Sequence, residues 1–585
     1  MNMRALLACL LALSPLGAAE RPNILLIVAD DLGWSDVGWH GGFGKTPHMD
    51  KLVRTGAELD QHYVQPVCTP TRAALMSGRC PGRFGPQALS PSNLRAMPLG
   101  TTTLASALKS VGYRTHLAGK WHLGAQPEWI PNAYGFDTSY GTLAGAADPW
   151  THKYRKGDPY EDTWHRDGKF FREEGNATEL IAAEAMKRIT QGGDQPWFMY
   201  VPFHAVHTPV DAPTEYKRLY DGVKFHDDPV KHESRLRMAA MIAQLDAKVG
   251  AFVAALERTG QREKTLIIFT SDNGGTESLQ NHYVGNVPHS PLNSENDPLR
   301  GQKDTLYEGG TRVCAFAHWP GKLKPAKIAA PLYVGDWLPT IAGLTGFQPA
   351  QDPKWDGLNR WKVLTGEDAT PAPRTIYIGH ARGRSIRHGD WKLIAMNSGK
   401  SQLFNIAADP YEQNDLAKEK PELVNELNGL ITGFLKGTEA VIPKLNPAFG
   451  KVVATPKDPL MGWKNRNCSA SVKDGILTAK GSGPAPFLGV VAELTGPAKV
   501  TFRLRTATGG EGHFDLMPTA SSKTTEIAAF LYSTKAGEWQ EITVDLPHQG
   551  PATIMRLYLP HASEAVDIDW VELKPAGAKP SRWEF

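Results

Sequence analysis

Asn23–Asp31 reads NILLIVADD. A continuous apolar run such as Asn23–Ala29 fits a strand buried on both faces, and here it stops abruptly at two carboxylates. Working outward, a polar, Gly-rich stretch follows, Leu32–Thr46. Leu104, Leu108 and Val111 then recur at helical spacing, with Gly112 where the helix would end. Tyr113–Ala118 reads as the next strand and runs into Gly119-Lys120; Trp197–Val201 is another, ending near His204 and His207. Met238, Met241, Ile242, Leu245, Val249, Phe252 and Leu256 form a long helical stripe that stops at Gly260. Thr265–Thr270 (TLIIFT) is a further strand, closed by Ser271-Asp272-Asn273-Gly274. Alternating strands and helices predict an α/β fold with a mostly parallel central sheet flanked by helices. Ligands of such sheets bind outside the carboxyl ends of the strands. Here those ends carry Asp30-Asp31, Lys120 with His122, His207, and Asp272-Asn273.

From Arg374 the pattern shortens. Arg374–Ile378, Arg384–Arg387, Trp391–Ile394 and Gln402–Asn405 read as small antiparallel strands, followed by a helix, Pro421–Leu435. The chain therefore divides into a catalytic α/β domain (20–373), a small antiparallel C-terminal subdomain (374–445), a linker (446–460) and an appended domain (461–585). In that last part helical spacing disappears. Val500, Phe502 and Leu504 alternate with polar residues, as do Ile542, Val544 and Leu546, and Val566–Leu573 closes the series, which predicts an all-β sandwich.

A chain of 585 residues exceeds one domain of roughly 100–200 residues. The formal net charge of +3 gives no electrostatic case for nucleic acid or an anionic membrane surface as a partner. Met1–Ala19 (1–19) reads as a signal peptide: Arg4, the short apolar stretch Ala5–Leu13, then Gly17-Ala18-Ala19 before a cut ahead of Glu20. The mature chain is expected to be soluble and exported, periplasmic or extracellular, with no later segment crossing a membrane. Cys68, Cys80, Cys314 and Cys468 remain after cleavage, too few for a disulfide framework. A Cys80–Cys314 bridge and two free buried thiols both stay open.

The chemistry centres on Val67–Arg79, VCTPTRAALMSGR. Cys68-Thr69-Pro70-Thr71-Arg72 fits the C-x-P-x-R signature, with Ser77-Gly78-Arg79 its extension. By these residues the chain resembles the type I, formylglycine-dependent sulfatases of arylsulfatase type, in the alkaline-phosphatase-like superfamily. Further motifs follow in the family's order: RPNILLIVADDLGW at Arg21–Trp34, GKWHLG at Gly119–Gly124, HAVHTP at His204–Pro209, TSDNGG at Thr270–Gly275 and LRGQKDTLYEGGTR at Leu299–Arg312. Asp336–Gly346 and Arg387–Ile394 match weaker landmarks, so the likeness extends from Arg21 to about Pro443.

The resemblance implies that a formylglycine-generating maturation enzyme oxidises Cys68. The hydrated aldehyde would offer one hydroxyl to attack sulfur and a second whose deprotonation expels sulfate. Asp30, Asp31, Asp272 and Asn273, with the Cys68-derived group, would hold a metal; hard oxygen donors suit Ca²⁺ or Mg²⁺, and the resemblance selects Ca²⁺. Arg72 would stabilise the hydrate, Lys120 and Lys303 clamp sulfate oxygens, His122 take the proton that releases sulfate, and His207 protonate the leaving alcohol. His40 and His204 could line the pocket without a catalytic role. The loops Tyr134–Thr163 and Thr276–Arg300 are expected to shape substrate binding, with Trp150, Trp164 and His282 as candidates. Hydrolysis of a sulfate ester on a sulfated saccharide is the leading reading. Phosphoester or phosphonate-ester hydrolysis and a silent, carbohydrate-binding pseudo-sulfatase are the alternatives.

Overall fold

The structure is a computed structural model that describes residues 21–285, 287–436, 460–473, 475–494, 496–517, 528–547, 552–577 and 580–585. The expected signal peptide, and the expected linker except Leu460, lie outside the described residues.

A ten-stranded sheet organises the catalytic part. At its centre Thr265–Ser271, Asn23–Ala29, Trp197–Pro202, Arg114–Lys120 and Thr138–Thr142 pair in that order, all parallel. Ala315–His318 joins antiparallel at the outer edge of Thr265–Ser271. Successive side chains of a strand point to opposite faces. Ile24, Leu26 and Val28 accordingly enter one core with Leu75, Leu108 and Leu338. Leu25 and Ile27 enter another with Met238, Ile242, Leu245, Val249 and Phe252. Both faces being covered explains why the sequence there is uninterruptedly apolar. The helix Pro229–Arg258 is long and apolar enough to cross a membrane by length and composition, which corrects the expectation that no such segment exists. Its apolar residues are consumed by the core under the sheet.

Thr375–His380, Gly383–His388, Trp391–Met396 and Ser401–Asn405 form an antiparallel meander in chain order. The helix Pro421–Leu435 buries Leu427 and Ile431 against its Ile386, Leu393 and Leu403. This sheet belongs to the same compact unit as the large one. Buried charges bind the two: Lys392 lies 2.8 Å from Glu308 and 2.9 Å from Glu412, and Arg374 pairs with Asp336. Cys80 and Cys314 are free, buried thiols.

The second unit consists of two antiparallel sheets. Trp463, Leu488, Phe502, Phe514, Leu557 and Ile568 fill the space between them, the sandwich expected from the alternation.

Candidate active site

The parallel strands end at a common level, and the loops leaving them are tied backbone to backbone. Asp272 N donates to Ala29 O at 3.0 Å, Asp30 N to Ala205 O at 2.9 Å, Lys303 N to Gly275 O at 3.0 Å, and Asp304 N to Pro66 O at 2.8 Å. These bonds gather the separate motifs around Cys68. Cys68 is the first residue of the helix Cys68–Ser77, entered through an extended Val67. Pro70 is tolerated because it sits in the first turn. The free N–H groups and positive pole of this helix end favour an anion beside residue 68.

Charges around Cys68 are buried and paired. Lys120 Nζ is 2.5 Å from Asp30 Oδ2, and Lys303 Nζ is 2.7 Å from Asp31 Oδ2. Arg72 donates through Nε and Nη2 to Asp272 Oδ2 at 3.1 and 2.8 Å, and through Nη1 to Lys120 O at 2.8 Å. Asn273 Nδ2 donates to Asp31 Oδ1 at 2.8 Å. The ring of His207 stands 3.6 Å from Asp31 through Nε2. Burial works to raise the Asp31 carboxyl, but Lys303, His207 and Lys120 outweigh it and hold it well below the usual range. Asp272 is pushed up to about 6 by burial and by neighbouring Asp30, against the pull of Arg72. Burial lifts the Cys68 thiol to about 12 despite Lys120 and Lys303. An unmodified Cys68 is therefore a neutral thiol at physiological pH. Burial also lowers His122 well below its ordinary value and His207 to about 3, so both rings are neutral.

The donor set fits a hard cation. Oδ1 of Asp30 and Oδ1 of Asn273 are buried without a hydrogen-bond partner, a costly state that a cation relieves. Donor atoms of Asp30, Asp31, Cys68 and His207 all lie within 4.8 Å of one another. His207, expected as a proton donor, thus borders the metal cluster. Asp272 faces the same cluster and is also engaged by Arg72 through Oδ2.

A cavity of about 560 Å³ opens over Cys68. His122, His207 and Lys303 line it; Arg72 and Lys120 are fully buried and do not. Residues of both loops line the cavity, His282 among them. Trp150 and Trp164 are not, which corrects the expectation for those two. Trp164 packs in the core, stacked on His152 at 4.3 Å, and Trp150 bonds Asp211 through Nε1 at 2.9 Å. His40 stacks on Trp34, and His204 bonds Thr142 Oγ1 at 2.6 Å; neither lines the cavity. Sequence reasoning missed Asn93, Gly145, Tyr154, Arg155 and Tyr283, all on the wall. For Gly145, Tyr154, Arg155 and Tyr283 the signal was position in one of the two long loops; Asn93 lies outside both and carried no such signal.

This arrangement serves attack on an anionic ester: a residue at a helix N-terminus, fixed cations, imidazoles and a cation site. A sulfatase family model matches residues 22–347. Arylsulfatase J of Mus musculus is 31% identical over 506 residues, covering 75% of this chain and 78% of that protein. Arylsulfatase A of Bos taurus is 32% identical over 466 residues, covering 73% and 85%. The crystal structure of Ps i-CgsB in complex with k-i-k-neocarrahexaose matches with a TM-score of 0.63 at 30% identity, covering 72% of this chain and 94% of that one. The chain belongs to the sulfatase family and is a sulfuric ester hydrolase.

Proposed function

We propose that this chain hydrolyses a sulfate ester on a sulfated carbohydrate, using a formylglycine made from Cys68 and a bound Ca²⁺. The observation that carries the reading is the convergence of Asp30, Asp31, Asn273, Lys303, His122 and His207 on Cys68, with two orphaned carbonyl-type oxygens among them. The crystal structure in complex with a carrahexaose, at 30% identity, supports a saccharide substrate. The reading of Met1–Ala19 supports export.

Asp30, Asp31, Asp272 and Asn273 would hold the ion together with the group at residue 68. Ca²⁺ supplies positive charge that neutralises a sulfate oxygen and acidifies a bound hydroxyl. Formylglycine supplies, as its hydrate, one hydroxyl to take the sulfuryl group and another through which sulfate departs. The remaining work falls to the chain. Asp30, Asp31 and Asp272 are matched by Arg72, Lys120 and Lys303, so an added divalent cation leaves the site positive toward an anionic ester. Lys303, on the wall, holds a sulfate oxygen and stays protonated because Asp31, against the cost of burial, raises it well above its ordinary value. His122, kept neutral by burial, is ready to accept the proton of the second hydroxyl. His207 faces the leaving oxygen; the negative ester and Asp31 favour its protonated form over the neutral one that burial favours without substrate.

The test is sulfate release by the formylglycine-bearing protein from a panel of sulfated saccharides and matched phosphate esters, with chelator and Ca²⁺ arms and Cys68→Ala as control. Calcium-stimulated release from sulfates, absent from the control, is expected. Equal release by the control removes residue 68 from the mechanism, and faster turnover of the phosphates replaces the reading with phosphoester hydrolysis.

A further inference from the structure

We infer that Arg155 binds a second anionic group of the substrate, a sulfate or carboxylate on the same saccharide as the ester that is cleaved; this rests on reading Cys68 as the hydrolytic centre. Arg155 lines the cavity over Cys68. Its guanidinium carbon lies 5.3 Å from the ring centre of Tyr154 and 5.4 Å from that of Tyr283, and the two rings are 5.6 Å apart. Tyr283 in turn meets the ring of His207 edge-on at 6.0 Å. The cation is therefore one aromatic ring away from the imidazole proposed to face the leaving oxygen, on the wall of the same cavity.

The loops that carry these residues are clamped. Val284 N donates to Tyr154 O at 2.9 Å, and Thr151 Oγ1 to Val284 O at 3.2 Å. Position thus comes from the fold, although the side chain is solvent-facing.

Charge decides what Arg155 is for. Lys153, two residues earlier, is neutralised by Glu161 at 2.8 Å and Asp162 at 3.1 Å. Arg155 has no carboxylate within ion-pair distance among the described residues; Tyr283 and Tyr154 flank it, and Asp158 acts on it only from beyond that distance. Asp304 is the acidic residue on the cavity wall, and it is already held by His380 at 2.7 Å and by Arg382. One sulfate ester is served by Lys303 and the buried cations, so Arg155 is a cation in excess. A guanidinium braced on two rings keeps its edge for a bidentate partner, which sulfate and carboxylate both are.

The experiment uses the full chain and three saccharides of one skeleton: monosulfated, the same with a second sulfate, and the same with a carboxylate in its place. Kinetics of the formylglycine-bearing enzyme are paired with calorimetric binding to Cys68→Ala, each in Arg155, Arg155→Met and Arg155→Lys backgrounds. A charge-assisted contact predicts about a tenfold to hundredfold preference for a doubly charged ligand. That preference falls to near unity in Arg155→Met and is partly restored in Arg155→Lys. Which doubly charged ligand gains more tells sulfate from carboxylate. A preference unchanged in Arg155→Met, or no preference in the parent, overturns the assignment of Arg155 while sulfate release continues. No sulfate release from any ester overturns the hydrolytic reading itself, whatever the binding data show.

Discussion

Gly145 stands where no side chain fits: a Cβ there would lie 2.3 Å from Nε2 of His122. Its φ is outside the left-handed region, so alanine is tolerated by the backbone and resisted by the ring. Gly145→Ala is expected to lower kcat by about 100-fold, the order of loss for a catalytic group displaced by about 1 Å, with little change in Tm. Unchanged turnover would take His122 out of the reaction. His62 makes a different prediction. It is fully buried, bonded to Thr270 and Trp337, and burial pushes it down to about 3. The unfolded chain binds this proton near pH 6.5 and the folded one does not. Stability is therefore complete above that pH and is lost as pH falls from 6.5 toward 3, by up to about 1.4 kcal/mol per pH unit. Urea unfolding of His62→Gln should be flatter across that window; parallel curves would reject it. The residues proposed for catalysis were legible in the sequence because each lies in a dense motif, and Lys120, His122 and His207 also follow apolar runs. Trp164 misled because an indole fills a core as readily as it lines a pocket, and Trp150 because its ring stays at the surface, held by Asp211. Arg155 and Tyr283 are 128 positions apart and belong to no motif; only the clamp between their loops joins them.

Among the elements, Asn23–Ala29, Thr265–Ser271 and Pro421–Leu435 were readable nearly to the residue, since apolar run or stripe and element coincide. Pro229–Arg258 begins well before its apolar stripe, because its first turns are polar and are started by Asp228, which accepts from Val230 and Lys231. Capping, not burial, sets that end. The link between the two sheets was not readable, because it depends on buried charges distant in sequence. Lys392 on Trp391–Met396 serves both Glu308 and Glu412, and all three are almost wholly inaccessible. Lys392→Met leaves Glu412 without its cation and Glu308 with only Arg312 at 3.8 Å, and should cost about 3–5 kcal/mol by denaturant unfolding. A loss below about 1 kcal/mol would show that apolar packing alone holds the small sheet.

On the scale of the molecule, a doubly covered parallel sheet brings five distant segments to one edge and leaves oxygens there that want a cation. Ca²⁺ should therefore stabilise the fold as well as serve it: at 100 times its Kd, a single site adds about 2.7 kcal/mol, and Asp30→Asn should abolish that gain. An equal rise in Tm for the variant would place the ion elsewhere. The central claim is that residue 68 works as an aldehyde and not as a thiol. Peptide mass spectrometry across preparations of differing maturation, with hydrazide capture of the Cys68 peptide, measures this directly. Sulfate-releasing activity is predicted to rise in proportion to aldehyde occupancy and to vanish where Cys68 is wholly thiol; full activity from protein whose Cys68 remains a thiol would contradict the account.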